Sequence, residues 1–133
     1  MKESTAINNK RILIVEDEPA ISKVCQRVLY RQGFKSDVAL NGQIAKNMMG
    51  RKRYELYLID VKMPVMNGKE LYQWLQGKDN KMADKVIFMT GSVFGEETRA
   101  FLEKTGRLCL LKPFTTEELA TAIKKTYRKQ EIV

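Results

Sequence analysis

Leu56-Tyr57-Leu58-Ile59-Asp60-Val61-Lys62-Met63-Pro64 is the stretch that decides the fold. Four large apolar residues run into one carboxylate, and a proline-bearing loop follows. A run this short and this continuously apolar reads as a strand buried on both faces, as in the middle of a parallel sheet. Asp60 then stands where the strand leaves the core. A charge there is costly unless it is paired, hydrogen-bonded or bound to a metal. The rest of the chain must therefore supply what meets it.

Working outward, Arg11–Val15 is a second buried-strand pattern. Glu16-Asp17-Glu18 follows, and Pro19 suits the first turn of a helix. Ile21, Val24, Cys25, Val28 and Leu29 repeat at helical spacing, and Gly33 ends that helix. Lys35–Ala39 is a more polar strand, fit for a sheet edge. Asn41-Gly42 opens a helix with Ile44, Ala45, Met48 and Met49 inward. Beyond Pro64, Asn67 is a candidate N-cap for a helix whose inner face is Leu71, Trp74 and Leu75. Lys85–Thr90 is a fourth strand. A helix from about 95 to 104 buries Phe101 and Leu102, and Gly106 closes it. Leu108–Lys112 is the fifth strand. Thr115-Thr116-Glu117-Glu118 has capping-box spacing and starts a last helix with Leu119, Ile123 and Tyr127 inward. Five strands alternating with five helices define an α/β fold, a parallel sheet covered on both faces with right-handed crossovers.

A chain of 133 residues with 44% apolar content suits one domain with one core. No apolar run approaches the ~20 residues that span a bilayer. Met1–Lys10 is polar and lacks the apolar centre of a signal peptide. A cytoplasmic protein is expected. The division expected is a flexible leader at 1–9, the domain at 10–129 and a tail at 130–133. Cys25 and Cys109 lie in apolar surroundings far apart in sequence and read as buried, reduced thiols. The absence of histidine excludes His-based triads and His-ligated zinc. The net charge of +8 is spread widely, with small clusters at Arg51–Arg53 and Lys124–Lys129. It reads as solvated helix faces or as a surface for an anionic partner.

In open parallel sheets, ligands bind beyond the carboxyl ends of the strands. Those ends present Glu16 and Asp17, then Asp60, Thr90 and Lys112. Three carboxylates at one spot repel one another, so a cation must offset them. Such an oxygen-rich site suits Mg²⁺ held with waters and a phosphate. The set looks built to bring a phosphoryl group to a carboxylate. Asp60 would attack phosphorus in line and form an aspartyl phosphate. Lys112 and the metal would neutralise the phosphoryl oxygens.

The motifs Val15–Pro19, Ile59–Gly68, Met89-Thr90-Gly91 and Leu111-Lys112-Pro113-Phe114 resemble the receiver domain of two-component response regulators, over about residues 10–129. The resemblance implies a flavodoxin-like sheet of order 2-1-3-4-5. It implies that Asp60 is the phosphoacceptor. Asp17, Asp60 and the backbone carbonyl of Lys62 would ligate Mg²⁺, with Glu16 acting mainly through metal-bound water. Thr90 would close on the phosphoryl oxygens, and Lys112 would pair with phosphate or with Asp60. The Lys112–Pro113 peptide would be cis. Such a domain is no enzyme in its own right; it catalyses only its own aspartyl phosphorylation and dephosphorylation. Its partner is a histidine kinase or histidine phosphotransfer protein, which supplies the histidine this chain lacks. A downstream effector protein and a second copy of the chain are further partners such domains admit. Phosphorylation would shift the domain between inactive and active conformations.

Three positions depart from the commoner pattern. Glu16 stands where Asp is usual. Lys62 puts a second ammonium near the acceptor and is expected to alter phosphoryl lifetime. Cys109 takes a fifth-strand position where Tyr or Phe is frequent, so the usual aromatic partner of a moving Thr90 is missing. The run Gly95–Gly106 is similar to receivers fused to the C-terminus of hybrid histidine kinases. Two other classes compete. A nucleic-acid-binding module would use the basic faces, but no recognised DNA-binding motif is present. A nucleotide or flavin enzyme would place Gly-rich backbone after the first strand, where this chain has three carboxylates. A haloacid-dehalogenase-like phosphatase needs a second Asp two residues after the nucleophile, and position 62 is Lys.

Overall fold

The computed structural model describes residues 10–91 and 95–132, and for 129–132 the backbone alone. The leader expected at 1–9 lies outside the described residues. Five parallel strands form one sheet in the order β2-β1-β3-β4-β5. They are β1 (Arg11–Val15), β2 (Lys35–Ala39), β3 (Leu56–Asp60), β4 (Val86–Thr90) and β5 (Cys109–Leu111). The order agrees with the one the receiver resemblance implies, and β2 is an edge strand as its polarity suggested.

Six helices are described rather than five: α1 (Pro19–Arg31), α2 (Gly42–Met49), α3 (Gly68–Lys78), α4 (Asn80–Ala83), α5 (Glu96–Thr105) and α6 (Thr116–Ile132). The extra one, α4, is a single turn. Asp79 ends α3 and starts α4, its side chain accepting from the Lys81 N–H at 2.9 Å. Four residues are too few to show a helical period, which is why the sequence concealed it. The last helix runs to Ile132, past the position 130 where a tail was expected.

The sheet divides the core into two layers because successive side chains of a strand point to opposite faces. Leu13, Val15, Tyr57, Ile59 and Phe88 face α2, α3 and α5, meeting Ala45, Met49, Leu71 and Leu75. Ile12, Ile14, Leu56, Leu58, Ile87 and Met89 face α1 and α6, meeting Cys25, Leu29, Leu119 and Ile123. Every residue of β3 and β4 is buried. Val24 and Ile44, read as inward from helical spacing, are 38% and 39% exposed; each lies at the margin of its helix's apolar stripe.

Local signals fix the helix ends. Pro19 sits in the first turn of α1. The Asn41 side chain accepts from the Ile44 N–H at 2.9 Å. Asn67 and Glu70 form a reciprocal capping box, as do Thr115 and Glu118. Each cap satisfies amide donors that have no partner inside the helix, typically worth ~1 kcal/mol. Gly106 closes α5 in the left-handed conformation. Trp74 is half-buried on α3, with the Lys46 and Lys78 ammonium groups 5.1 and 4.9 Å from its ring.

Candidate functional site

The parallel sheet delivers all five strand ends to one side, and backbone bonds lock neighbouring ends together. Glu16 N–H donates to the Ala39 carbonyl at 2.9 Å, Val61 N–H to Met89 at 2.9 Å, and Lys112 N–H to Thr90 at 2.8 Å. The Lys112–Pro113 peptide is cis, as the resemblance implied.

Lys112 is the centre of the polar cluster. Its ammonium donates to Glu16 Oε1 at 2.6 Å and to Asp60 Oδ2 at 3.1 Å, and lies 3.8 Å from Glu18 Oε1. Glu16 is fully buried and Asp60 is 4% exposed. Asp60 Oδ1 accepts from the Lys62 N–H at 3.2 Å, which fixes the carboxylate's orientation. Glu16 Oε2 accepts from the Glu18 N–H at 3.1 Å. Thr90 is fully buried at the end of β4. Asp17 is exposed, and its carboxylate gathers with those of Glu16 and Glu18 within 4.8 Å of one another. Glu16, Asp60, Thr90 and Lys112 are thus brought to one end of the sheet, with Asp17 beside them.

Electrostatics follows from burial. Burial pushes the Glu16 carboxyl up to about 7; the Asp60 charge adds to this, and the Lys112 hydrogen bond opposes it. Burial works to lower the Lys112 ammonium, but its hydrogen bonds to Glu16 and Asp60 outweigh that and hold it above its usual value. One ammonium shared between two buried carboxylates does not fully offset them. The three-carboxylate group at the rim is an oxygen donor set that suits a hard divalent cation.

The acceptor loop is braced from two sides. The Gly68 N–H donates to the Val61 carbonyl at 2.9 Å, and a Cβ on Gly68 would stand 2.4 Å from the Asp60 carbonyl oxygen. The Gly42 N–H donates to the Met66 carbonyl at 3.1 Å. Val65 takes a positive φ of 67° and is 80% exposed. Beside the loop, a 290 Å³ cavity is lined by Lys62, Met63, Asn67, Lys69, Glu97 and Phe101. Sequence reading had not placed Lys69 or Glu97 near the site, since only the folded turn brings α3 and α5 together there.

Cys109 differs from its expectation. It is half-buried rather than buried, and packs against the layer that holds Phe88. Both thiols are free, and burial pushes Cys25 up to about 12 and Cys109 up to about 11. Phe101, Tyr72 and Phe88 form a three-ring cluster with centroids 5.3 to 5.8 Å apart. No described helix is long and apolar enough to cross a membrane.

A parallel sheet with buried carboxylates and a lysine at one end defines a class, the signalling domains of two-component systems. The response regulator receiver domain model matches residues 12–124, and the chain belongs to that family. It is 31% identical over 121 residues to sporulation initiation phosphotransferase F of Bacillus subtilis, covering 88% of this chain and 93% of that one. A CheY-like receiver domain protein from Methanospirillum hungatei superposes with a TM-score of 0.84 at 29% identity, over 93% of this chain and 98% of that one. The response regulator TrrA of Thermotoga maritima, solved in complex with Mg²⁺ and BeF, gives a TM-score of 0.75 at 30% identity, over 88% and 98%. The chain spans about half the length of several other curated relatives it matches.

Proposed function

We propose that Asp60 accepts a phosphoryl group from a phosphohistidine on a histidine kinase or histidine phosphotransfer protein. The observation that carries this is the Lys112 ammonium bridging the two buried carboxylates Glu16 and Asp60. A lysine so placed orients the Asp60 carboxylate and aims a positive charge at incoming phosphoryl oxygens. Asp60 Oδ attacks phosphorus in line, the histidine nitrogen leaves, and an acyl phosphate forms. Asp17, Asp60 and the Lys62 carbonyl would hold Mg²⁺, with Glu16 acting through water, and bound metal supplies the positive charge that offsets these carboxylates. The hydroxyl of Thr90 would close on the phosphoryl oxygens.

The active and inactive conformations differ, in this reading, at α5. That helix buries none of its residues fully and is held through Phe101 and Leu102. With Cys109 on β5 there is no aromatic on that strand to swing inward, so the ring cluster of Phe101 carries the change instead. A downstream protein would read that surface. The test is incubation with a small phosphodonor and Mg²⁺. Intact mass should rise by one phosphoryl group in the wild type and stay unchanged in Asp60→Asn. A phosphorylated Asp60→Asn variant would reject the assignment.

A further inference from the structure

The acceptor loop contains a turn that its own residues do not favour. The Met66 N–H donates to the Pro64 carbonyl at 2.8 Å, with Val65 between them at φ 67°. A hydrogen bond closed over one residue of positive φ is the rare, strained form of γ-turn. Such strain persists only where the surroundings hold it. Val65 is 80% exposed, so its own side chain supplies little of that hold.

The hold comes from outside the loop. Met66, which closes the turn, presents its carbonyl to the Gly42 N–H at 3.1 Å. Gly42 is the buried first residue of α2, whose start is fixed by the Asn41 cap. Met66 lies directly on its bare Cα: a Cβ there would stand 2.7 Å from both the Met66 Cγ and the Met66 carbonyl oxygen. The helix itself does not ask for glycine here. The Gly42 φ is outside the left-handed region, and alanine enters a helix more readily. The missing side chain serves the contact with Met66.

The same loop closes on the acceptor. The Gly68 N–H returns to the Val61 carbonyl at 2.9 Å, and the Lys62 N–H donates to Asp60 Oδ1 at 3.2 Å. The loop is a closed ring with Asp60 on one side and the Gly42 contact on the other, so a push on Met66 is passed to Lys62 and the carboxylate it orients. We propose that Gly42 is a positioning residue for phosphoryl transfer: through Met66 it holds the strained turn, and so fixes the Lys62 amide and carbonyl beside Asp60. The proposal rests on Asp60 being the acceptor and on the Lys62 carbonyl facing the metal. A glycine kept only for packing would affect stability and leave metal binding alone.

The test compares Gly42→Ala with Gly50→Ala, an exposed glycine at the other end of α2 where a Cβ would meet nothing closer than 3.5 Å. Mg²⁺ affinity is read by calorimetry, the Lys62 amide by its ¹H–¹⁵N signal, and phosphoryl uptake by intact mass with phosphoramidate as donor. Gly42→Ala is expected to weaken Mg²⁺ binding about tenfold, as loss of support behind a metal ligand does. It should also move the Lys62 signal and slow uptake about tenfold or more. Gly50→Ala should stay within about twofold of wild type throughout. Asn41→Ala loosens the start of α2 without adding an atom and should give a smaller change of the same sign; it decides the matter if circular dichroism shows Gly42→Ala unfolded. The proposal is overturned if Gly42→Ala keeps wild-type Mg²⁺ affinity and an unmoved Lys62 signal, whatever its urea midpoint, or if Gly50→Ala changes as much. A wild type that takes up no phosphoryl group rejects Asp60 as acceptor instead, while the Mg²⁺ and Lys62 readings still decide what Gly42 does.

Discussion

Val65 is the one non-glycine residue with a positive φ among the described residues. A β-branched side chain at φ 67° crowds its own backbone, a conformation that favours Gly or Asn. It is 80% exposed, so the valine gains little from burial in return. Val65→Asn should therefore stabilise the protein by about 1 kcal/mol, seen as a higher urea midpoint with an unchanged slope. A midpoint equal to wild type would mean that the turn relaxes the strain at no gain. The sequence showed the Pro64 loop but not this strain, because a dihedral angle is set by the turn and leaves no compositional mark on valine.

At the scale of elements, two glycines of α3 make opposite predictions. Gly68 lets the helix start against the end of β3, and an added Cβ would meet the Asp60 carbonyl at 2.4 Å and the Val61 Cα at 2.9 Å. Neither backbone atom can give way cheaply. Gly68→Ala should destabilise by about 2 kcal/mol or more and slow phosphoryl uptake, because the shift is transmitted to the acceptor. Gly77 meets nothing within 4 Å and lies inside the same helix. Gly77→Ala should stabilise by about 0.5–1 kcal/mol, since glycine loses more freedom on entering a helix. Paired denaturation curves check both signs at once. Helix α5 supplies another prediction. Its grip is the Phe101 ring against Tyr72 and Phe88, while α1 and α3 each bury four residues. Amide hydrogen exchange should open α5 before α1 and α3, and Phe101→Ala should speed α5 exchange selectively. Uniform protection across the three helices would contradict the proposed role of α5.

The helix and strand periods were legible in the chain because most elements are two-sided: β3 and β4 read as solid apolar runs, and caps such as Asn41, Asn67 and Thr115 marked helix starts. The strand-end residues Glu16, Asp60, Thr90 and Lys112 could be read off in order for the same reason. What sequence could not give was distance. That Lys112 bridges Glu16 and Asp60, that Glu18 approaches it, and that Lys69 and Glu97 border the acceptor loop all depend on how loops close. The pairing at Lys112 has a consequence for the whole molecule. Glu16 titrates near 7 when folded, against an ordinary value of 4.5. Between those values the native state holds a proton that the unfolded chain has released, so stability falls as pH rises across that window and levels off above it. The chain has no histidine to mask the effect. Urea midpoints without Mg²⁺ should be higher at pH 5.5 than at pH 8. A midpoint that rises instead would show that Glu16 is ionised well below neutrality.

Trp74 turns the molecule into its own optical gauge. It is the single tryptophan of the chain, and its half-buried indole stands on α3, the helix that follows the acceptor loop, with the Lys46 and Lys78 ammonium groups 5.1 and 4.9 Å from its ring centroid. Its emission should therefore track denaturation and any disturbance passing along α3. A rearrangement confined to α5 would be dark to it, and would need a dye or an NMR signal to be seen.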